Sequence, residues 1–277
     1  MLLWMSFPAI YFMKSKVSKK IIVLAERETF FLPHCVAQLG TTHNIVAIIV
    51  CPGQNHKKRT KNGLKLFGLK TFFFIAASEL LARLVNIISI NRYYSLRKVA
   101  RRFKIQYENI PYLHSPECYD LLEKYKPDII FTQLSYLIKP DLLSKGLFWN
   151  KHCSLLPAYT GVYPVFWSLL HGETNFGVTI HEMNEQFGRG RIIQQSSMFT
   201  RSKSFFSIYH ALYDQVPLLM DKAIGGKVLP DDKVELDMKS SYYSFPQPSD
   251  RIEFLRKGNH FDHPFRLHPA ILPGGKK

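Results

Sequence analysis

Aspartate is absent from the whole stretch between Pro157 and Arg201. Between Lys57 and Lys104 the chain has one carboxylate, Glu79, among thirteen lysines and arginines, so this segment holds twelve of the sixteen net positive charges. Cysteine is sparse. Cys35, Cys51, Cys118 and Cys153 show no CxxC spacing, which leaves a disulfide frame and a zinc cluster without support. They read as the reduced thiols of a cytoplasmic protein, with Cys153 a small buried hydrophobe rather than a nucleophile. No GxGxxG or GxxxxGK[ST] is present, so neither a dinucleotide fingerprint nor a P-loop is supported. No histidine pair flanks a glutamate at helical spacing, which removes the usual zinc hydrolase, and no metal site is expected. Internal repeats and low-complexity tracts are missing too.

What is present is a globular chain of 277 residues with 46% apolar content, enough for one large core. Residues 1–19 form an N-terminal extension. Its apolar run, Met1–Met13, precedes Lys14, Lys16, Lys19 and Lys20, the reverse of a signal peptide's order, and is too short to span a bilayer. It reads as an upstream start or as a weak membrane-surface contact. From residue 20 to 225, short apolar runs alternate with helical patterns. KIIVLA, NIVAIIVC and DIIFT are buried strands, as are the runs near Trp149–Cys153, Gly177–Met183 and Ile192–Met198. Helices are expected over 30–39, 93–103, 115–125, 164–171 and 204–224, with Ser115 as a cap. The fold class is therefore α/β, a mainly parallel sheet with helices on both faces. Residues 226–277 change texture and form a small C-terminal appendage, with a helix over 249–257 capped by Ser249. The aromatic SSYYSFP within it can pack on the core or on a second subunit, so an oligomer stays open.

The chemistry concentrates in Asn150-Lys151-His152-Cys153-Ser154-Leu155-Leu156-Pro157. Two residues apart on a strand, Asn150 and His152 project to one face. An amide donor beside an imidazole equips a site for acyl transfer: attack by an amine creates an oxyanion that needs fixed donors and an ammonium that needs a base. Asn150 and a protonated His152 can supply the donors. Taken alone, the pair reads sooner as strand-end polar groups that cap a loop.

The wider spacing adds to this. N-x-H-x-S-L-L-P is followed by Gly161, Pro164, His171-Gly172-Glu173, Gly177-Val178-Thr179-Ile180 and Gly190-x-Ile192-Ile193-Gln194. The order resembles the folate-dependent formyltransferases, which include glycinamide ribonucleotide, methionyl-tRNA and sugar N-formyltransferases. IIVLAERETFFLPHC and SYYSFPQPSDRIEFLRKG resemble a branch with sugar or cell-envelope roles. The resemblance spans residues 20–258. It implies a Rossmann-like formyltransferase fold, with 10-formyltetrahydrofolate as formyl donor at the carboxyl ends of the strands. It also implies a small-molecule amine acceptor, an amino sugar being the expectation, and Asn150 and His152 as catalytic residues. The folate would lie against Tyr136, Leu137 and Ile138 and against Phe187 and Arg189.

Family members place an Asp two positions before the glycine of the last motif, where it orients the His and assists proton removal. Here that position is Gly188. Glu182 and Glu185 are the nearby carboxylates. Thr160 is a milder departure, since many members carry Arg there. A catalytically impaired, formyltransferase-like binding protein is the alternative that Gly188 supports. The basic stretch 57–104 also contains the apolar runs Leu64–Phe74 and Leu80–Ile90. It reads as a surface amphipathic segment for an anionic membrane, peripheral at the inner membrane surface, rather than a nucleic-acid groove, since no stacking-aromatic signature of an RNA-binding module is present.

Overall fold

The computed structural model describes residues 18–53, 56–89, 92–135, 137–184, 190–226, 239–262 and 264, with the backbone only for 56–59. Tyr136, Glu185, Phe187, Gly188, Arg189 and the tail from 265 lie outside the described residues.

Nine strands and eight helices follow one another among these residues. β1 (Lys20–Glu26), β2 (Asn44–Cys51), β3 (Gln106–Asn109), β4 (Ile129–Gln133), β5 (Phe148–His152), β7 (Asn175–Glu182) and β8 (Ile192–Phe199) build one sheet in the order 3-2-1-4-5-7-8. The pairs from β3 to β5 are parallel, whereas β5–β7 and β7–β8 are antiparallel. The expected mainly parallel α/β sheet is present. Apolar runs alone do not reveal strand direction, so the antiparallel edge became visible only in three dimensions.

Alternation along β1 explains the layering. Ile21, Val23 and Ala25 enter one core, and Ile22 and Leu24 enter the other. The first core takes α1 (Leu32–Thr42), α3 (Leu96–Phe103), α6 (Pro164–His171) and α7 (Phe205–Ile224). The second takes α4 (Pro116–Tyr125) and the short α5 (Pro140–Leu143). Caps depart from expectation in two places. Ser115 occupies the N-cap of α4 but makes no capping hydrogen bond. In α8 (Pro248–Arg256) the cap is Gln247, not Ser249. Pro248 fills the first turn, which needs no N–H there, and Asp250 Oδ2 accepts the Gln247 N–H at 2.7 Å.

The long α2 (His56–Ile88) breaks at Gly68 (φ 73°, ψ 169°). It contains most of the basic-apolar stretch, and its outer half presents its apolar side chains to solvent.

The C-terminal segment is welded to the main body. β9 (Tyr242–Tyr243) pairs in parallel with β6 (Thr160–Gly161). Gly161 has φ +99°, and a Cβ there would lie 2.1 Å from Tyr243 O, so only glycine admits this pairing. Phe254 of α8 is fully buried and stacks on Phe166 at 4.7 Å and Phe261 at 4.8 Å between centroids. Asn259 Nδ2 donates to Leu169 O at 3.1 Å. Phe254→Ala is expected to lower unfolding free energy by about 3–5 kcal/mol. Chemical denaturation should show this as a single shifted transition; a separate early transition would mean that residues 239–262 unfold on their own.

Candidate active site

Asn150 and His152 end β5 where the sheet turns from parallel to antiparallel pairing. On one side Thr132 of β4 aligns with Asn150. On the other, β7 sets His181 opposite Asn150 and Thr179 opposite His152. These side chains therefore share one face at the carboxyl ends of β4 and β5.

The SLLP turn that follows β5 is tied down through Thr179. Thr179 Oγ1 donates to Ser154 O at 2.6 Å and accepts from Leu156 N at 3.2 Å. Gln195 Nε2 donates to Leu156 O at 2.9 Å, and Ser154 Oγ donates to Ala158 O at 2.7 Å. The turn thereby delivers the Tyr159 carbonyl 2.8 Å from His152 Nε2. A carbonyl only accepts, so Nε2 carries the proton and Nδ1 is the bare nitrogen. Nδ1 has no hydrogen-bond partner among the described residues. Burial lowers the His152 pKa to about 4, so the imidazole is neutral at neutral pH. The expected protonated donor is therefore replaced by a neutral acceptor: desolvation outweighs the help of the Tyr159 carbonyl, and the Lys151 charge adds to the depression.

A second histidine orients Asn150, and sequence reasoning had passed it over. His181 is buried, and its Nδ1 lies 2.8 Å from Glu182 O, so Nδ1 is the protonated nitrogen. Its Nε2 then accepts from Asn150 Nδ2 at 3.2 Å. Thr132 Oγ1 stands 3.4 Å from Asn150 Oδ1. The amide is thus turned with its oxygen toward Thr132 and one N–H given to His181, which leaves the other N–H for a ligand. Burial also lowers the His181 pKa, in keeping with a neutral acceptor. The polar alternation Thr179-x-His181 was visible in the sequence, but its strand partner was not.

These groups line a cavity of about 430 Å³. Its other walls include the charged Glu26, Arg27, Glu28 and Lys151 and the aromatic Tyr163, Tyr242 and Phe245, so polar groups and rings face the same cleft. Glu26 accepts from Ser135 N at 2.8 Å and Ser135 Oγ at 2.6 Å, holding the loop after β4 at the rim. Glu28 is half-buried and caps α1, accepting the N–H groups of Phe30, Phe31 and Leu32 at 2.5–2.8 Å. Desolvation raises its pKa, against those hydrogen bonds and the Lys151 charge. Lys151 Nζ donates to Tyr213 OH at 2.7 Å, and Tyr213 OH donates to Gln133 Oε1 at 2.7 Å.

Of the expected folate contacts, Leu137 lines the cavity and is 38% exposed. Ile138 does not. It is buried in the second core, because successive residues of an extended loop face opposite ways. Tyr136, Phe187 and Arg189 lie outside the described residues, as does Gly188. Of the nearby carboxylates, Glu182 pairs with Arg191 Nη2 at 2.6 Å. Gly190 packs tightly against the site strand: a Cβ there would fall 1.6 Å from Glu182 O. Thr160 Oγ1 donates to Ser241 O at 2.7 Å, so it serves the β6–β9 junction.

Residues 19–204 match the family described as Formyl transferase. The Bifunctional polymyxin resistance protein ArnA of Wigglesworthia glossinidia brevipalpis is 31% identical over 189 residues, covering 65% of this chain and 29% of that protein. The GDP-perosamine N-formyltransferase of Brucella melitensis biotype 1 is 30% identical over 139 residues, covering 48% of this chain and 53% of that protein. The chain thus spans from under a third to about half of these relatives. In fold it is similar to the crystal structure of WlaRD, a sugar 3N-formyl transferase solved in the presence of dTdp and 5-N-Formyl-THF. That likeness has TM-score 0.52 and 17% identity over 85% of this chain and 77% of that one. Glycinamide ribonucleotide transformylase 1 from Symbiobacterium toebii has TM-score 0.54 and 14% identity over 77% and 91%.

The neutral, partly buried His152 has a consequence for stability. Its folded pKa of about 4 lies below the ordinary 6.5. As pH falls below 6.5 the unfolded chain takes up the proton first, so stability present above that pH is lost toward pH 4. The loss from this group should approach about 3 kcal/mol. Denaturant unfolding at stepped pH should show the slope, and His152→Gln should flatten it; an unchanged slope would place the histidine in solvent.

Proposed function

The chain belongs to the formyl transferase family, and on that footing we propose that it transfers a formyl group from 10-formyltetrahydrofolate to the amine of an amino sugar. The observation that carries the reading is the Asn150–His152 pair, oriented through His181 and Tyr159 on the wall of a single cleft.

The residues present fit the donor. The cleft is large enough for a flat heterocycle, its aromatic walls suit ring stacking, and Leu137 with the Glu26-anchored Ser135 loop borders it. When bound, 10-formyltetrahydrofolate supplies a carbonyl carbon open to attack by an amine. Asn150 directs its remaining Nδ2–H at the oxygen on which charge develops, and because His181 and Thr132 hold the amide, little reorganisation is needed. His152 Nδ1, unprotonated, would take the proton that the attacking amine must lose and return it to the donor's N10 as the formyl C–N10 bond breaks and tetrahydrofolate leaves; the Tyr159 carbonyl stabilises the imidazolium through Nε2 in between. The acceptor class is supported by the sugar N-formyltransferases among the relatives. Gly188 leaves the imidazole without the carboxylate expected beside it, and this favours the second reading, a formyltransferase-like protein that binds without efficient turnover.

Formyl transfer measured with a panel of nucleotide-linked amino sugars separates the two. Asn150→Ala should lower kcat by roughly 10²–10³ and His152→Ala by roughly 10²–10⁴. Gly188→Asp should raise it. Turnover that is absent in both the parent and Gly188→Asp, while calorimetry still detects folate binding, would establish the binding protein. Absence of folate binding as well would sink both readings.

A further inference from the structure

Beyond Gly68, α2 is amphipathic in reverse. The side chains turned toward the body are the buried Ser78 and Ala82 and the partly buried Ile75, with Asn86 one turn further along the same face. Asn86 is held there by polar bonds: Tyr94 N donates to its Oδ1 at 3.0 Å, and its Nδ2 donates to Ser95 Oγ at 3.1 Å. Phe73, Leu80, Leu84 and Ile87 recur at helical spacing on the opposite face, and Leu81 and Ile88 lie beside them. Ile87 and Ile88 are each 80% exposed. A surface helix of a water-soluble body has the opposite arrangement, with its apolar stripe inward. A contiguous apolar strip of this kind marks an interaction surface.

We propose that this face of α2 seats the protein on an anionic phospholipid bilayer, lying in the plane of the headgroup boundary. Length and composition alone would let residues Thr60–Ile88 cross a membrane. The contacts argue against crossing, because both ends are docked on the body. Leu66 is buried in the main core, and Lys65 Nζ donates to Gln247 Oε1 at 3.3 Å. At the other end Lys98 Nζ donates to Asn86 O at 2.6 Å and also to Ser89 O. A helix docked on a folded domain near both ends presents one face to lipid, as interfacial helices do.

Charge selects the lipid. Lys98 fastens α3 to the end of α2, and α3 and its cap expose Arg101, Arg102 and Lys104. Neither these nor Lys70 and Arg83 of α2 form an ion pair among the described residues. Unneutralised cations beside an apolar strip match acidic headgroups over acyl chains. A second copy of the chain is the weaker occupant, since it would bring two such cationic stretches together. The proposal stands independently of the formyl-transfer reading.

Flotation of the full chain with vesicles of phosphatidylcholine, with and without about one-third phosphatidylglycerol, tests it. Binding is expected to the anionic vesicles and to weaken as salt is raised from about 0.05 to 0.3 M. The combined variant Leu80→Glu, Leu84→Glu, Ile87→Glu should lose at least about tenfold in partitioning. These side chains are exposed, so its thermal melt should match the parent. Arg101→Ala, Arg102→Ala, Lys104→Ala together should cost up to about fivefold per charge and flatten the salt dependence. Failure of the parent to float with anionic vesicles would overturn the proposal. So would equal binding to neutral vesicles, or a dimer in light scattering that the glutamate variant dissolves while vesicle binding is unchanged.

Discussion

Everything at the site depends on where β5 sits. Its parallel partner β4 brings Thr132 to Asn150, and its antiparallel partner β7 brings His181 to Asn150 and Thr179 to His152. A slip of one residue in either pairing would turn every one of these side chains to the opposite face. It would send His181 into the first core and break the hydrogen bonds by which Thr179 holds the SLLP turn. The Tyr159 carbonyl reaches His152 only because that turn is held. The register is protected by burial: Trp149, Cys153 and Ile180 fill one face and Phe148 the other, so a slip would also expose the core.

The cleft is lined by the charged Glu26, Arg27, Glu28 and Lys151, yet its two histidines carry no charge. His152 and His181 are both kept neutral by desolvation, each with its proton on the nitrogen that faces a backbone carbonyl. Glu28 is spent on the N-terminus of α1, and Glu182 on Arg191. The site therefore depends on oriented dipoles and on a neutral base more than on an ion pair. Such an arrangement suits an amine that arrives uncharged, because the proton it sheds after attack is then the one that the departing donor nitrogen needs.

Much of this was legible in the chain. Strands such as NIVAIIVC and helices such as 204–224 announce themselves by period and length, because burial on both faces of a sheet demands unbroken apolar runs. The pair Asn150 and His152 was legible for a similar reason, since two residues on a strand share a face whatever surrounds them. His181, Glu28 and Lys151 were not, because their roles come from neighbours far away in sequence. Ile138 shows the converse. Its neighbour Leu137 reaches the cleft, yet Ile138 packs in the core, a choice made by the turn of the loop. Ser115 takes the N-cap position of α4 as expected, without a capping bond, whereas the cap of α8 falls on Gln247 because Pro248 already fits the first turn.

By itself the sequence determined the α/β class, the polar pair at the end of β5, the loss of an aspartate at Gly188 and the concentration of positive charge over 57–104. These are properties of residue identity and short-range spacing. Tertiary structure alone decided that the sheet edge runs antiparallel, that His152 is a neutral acceptor rather than a charged donor, and that α2 turns its apolar face to solvent. Each of those is settled by which surfaces are withdrawn from water, and solvent exclusion is a property of the packed chain rather than of any segment within it.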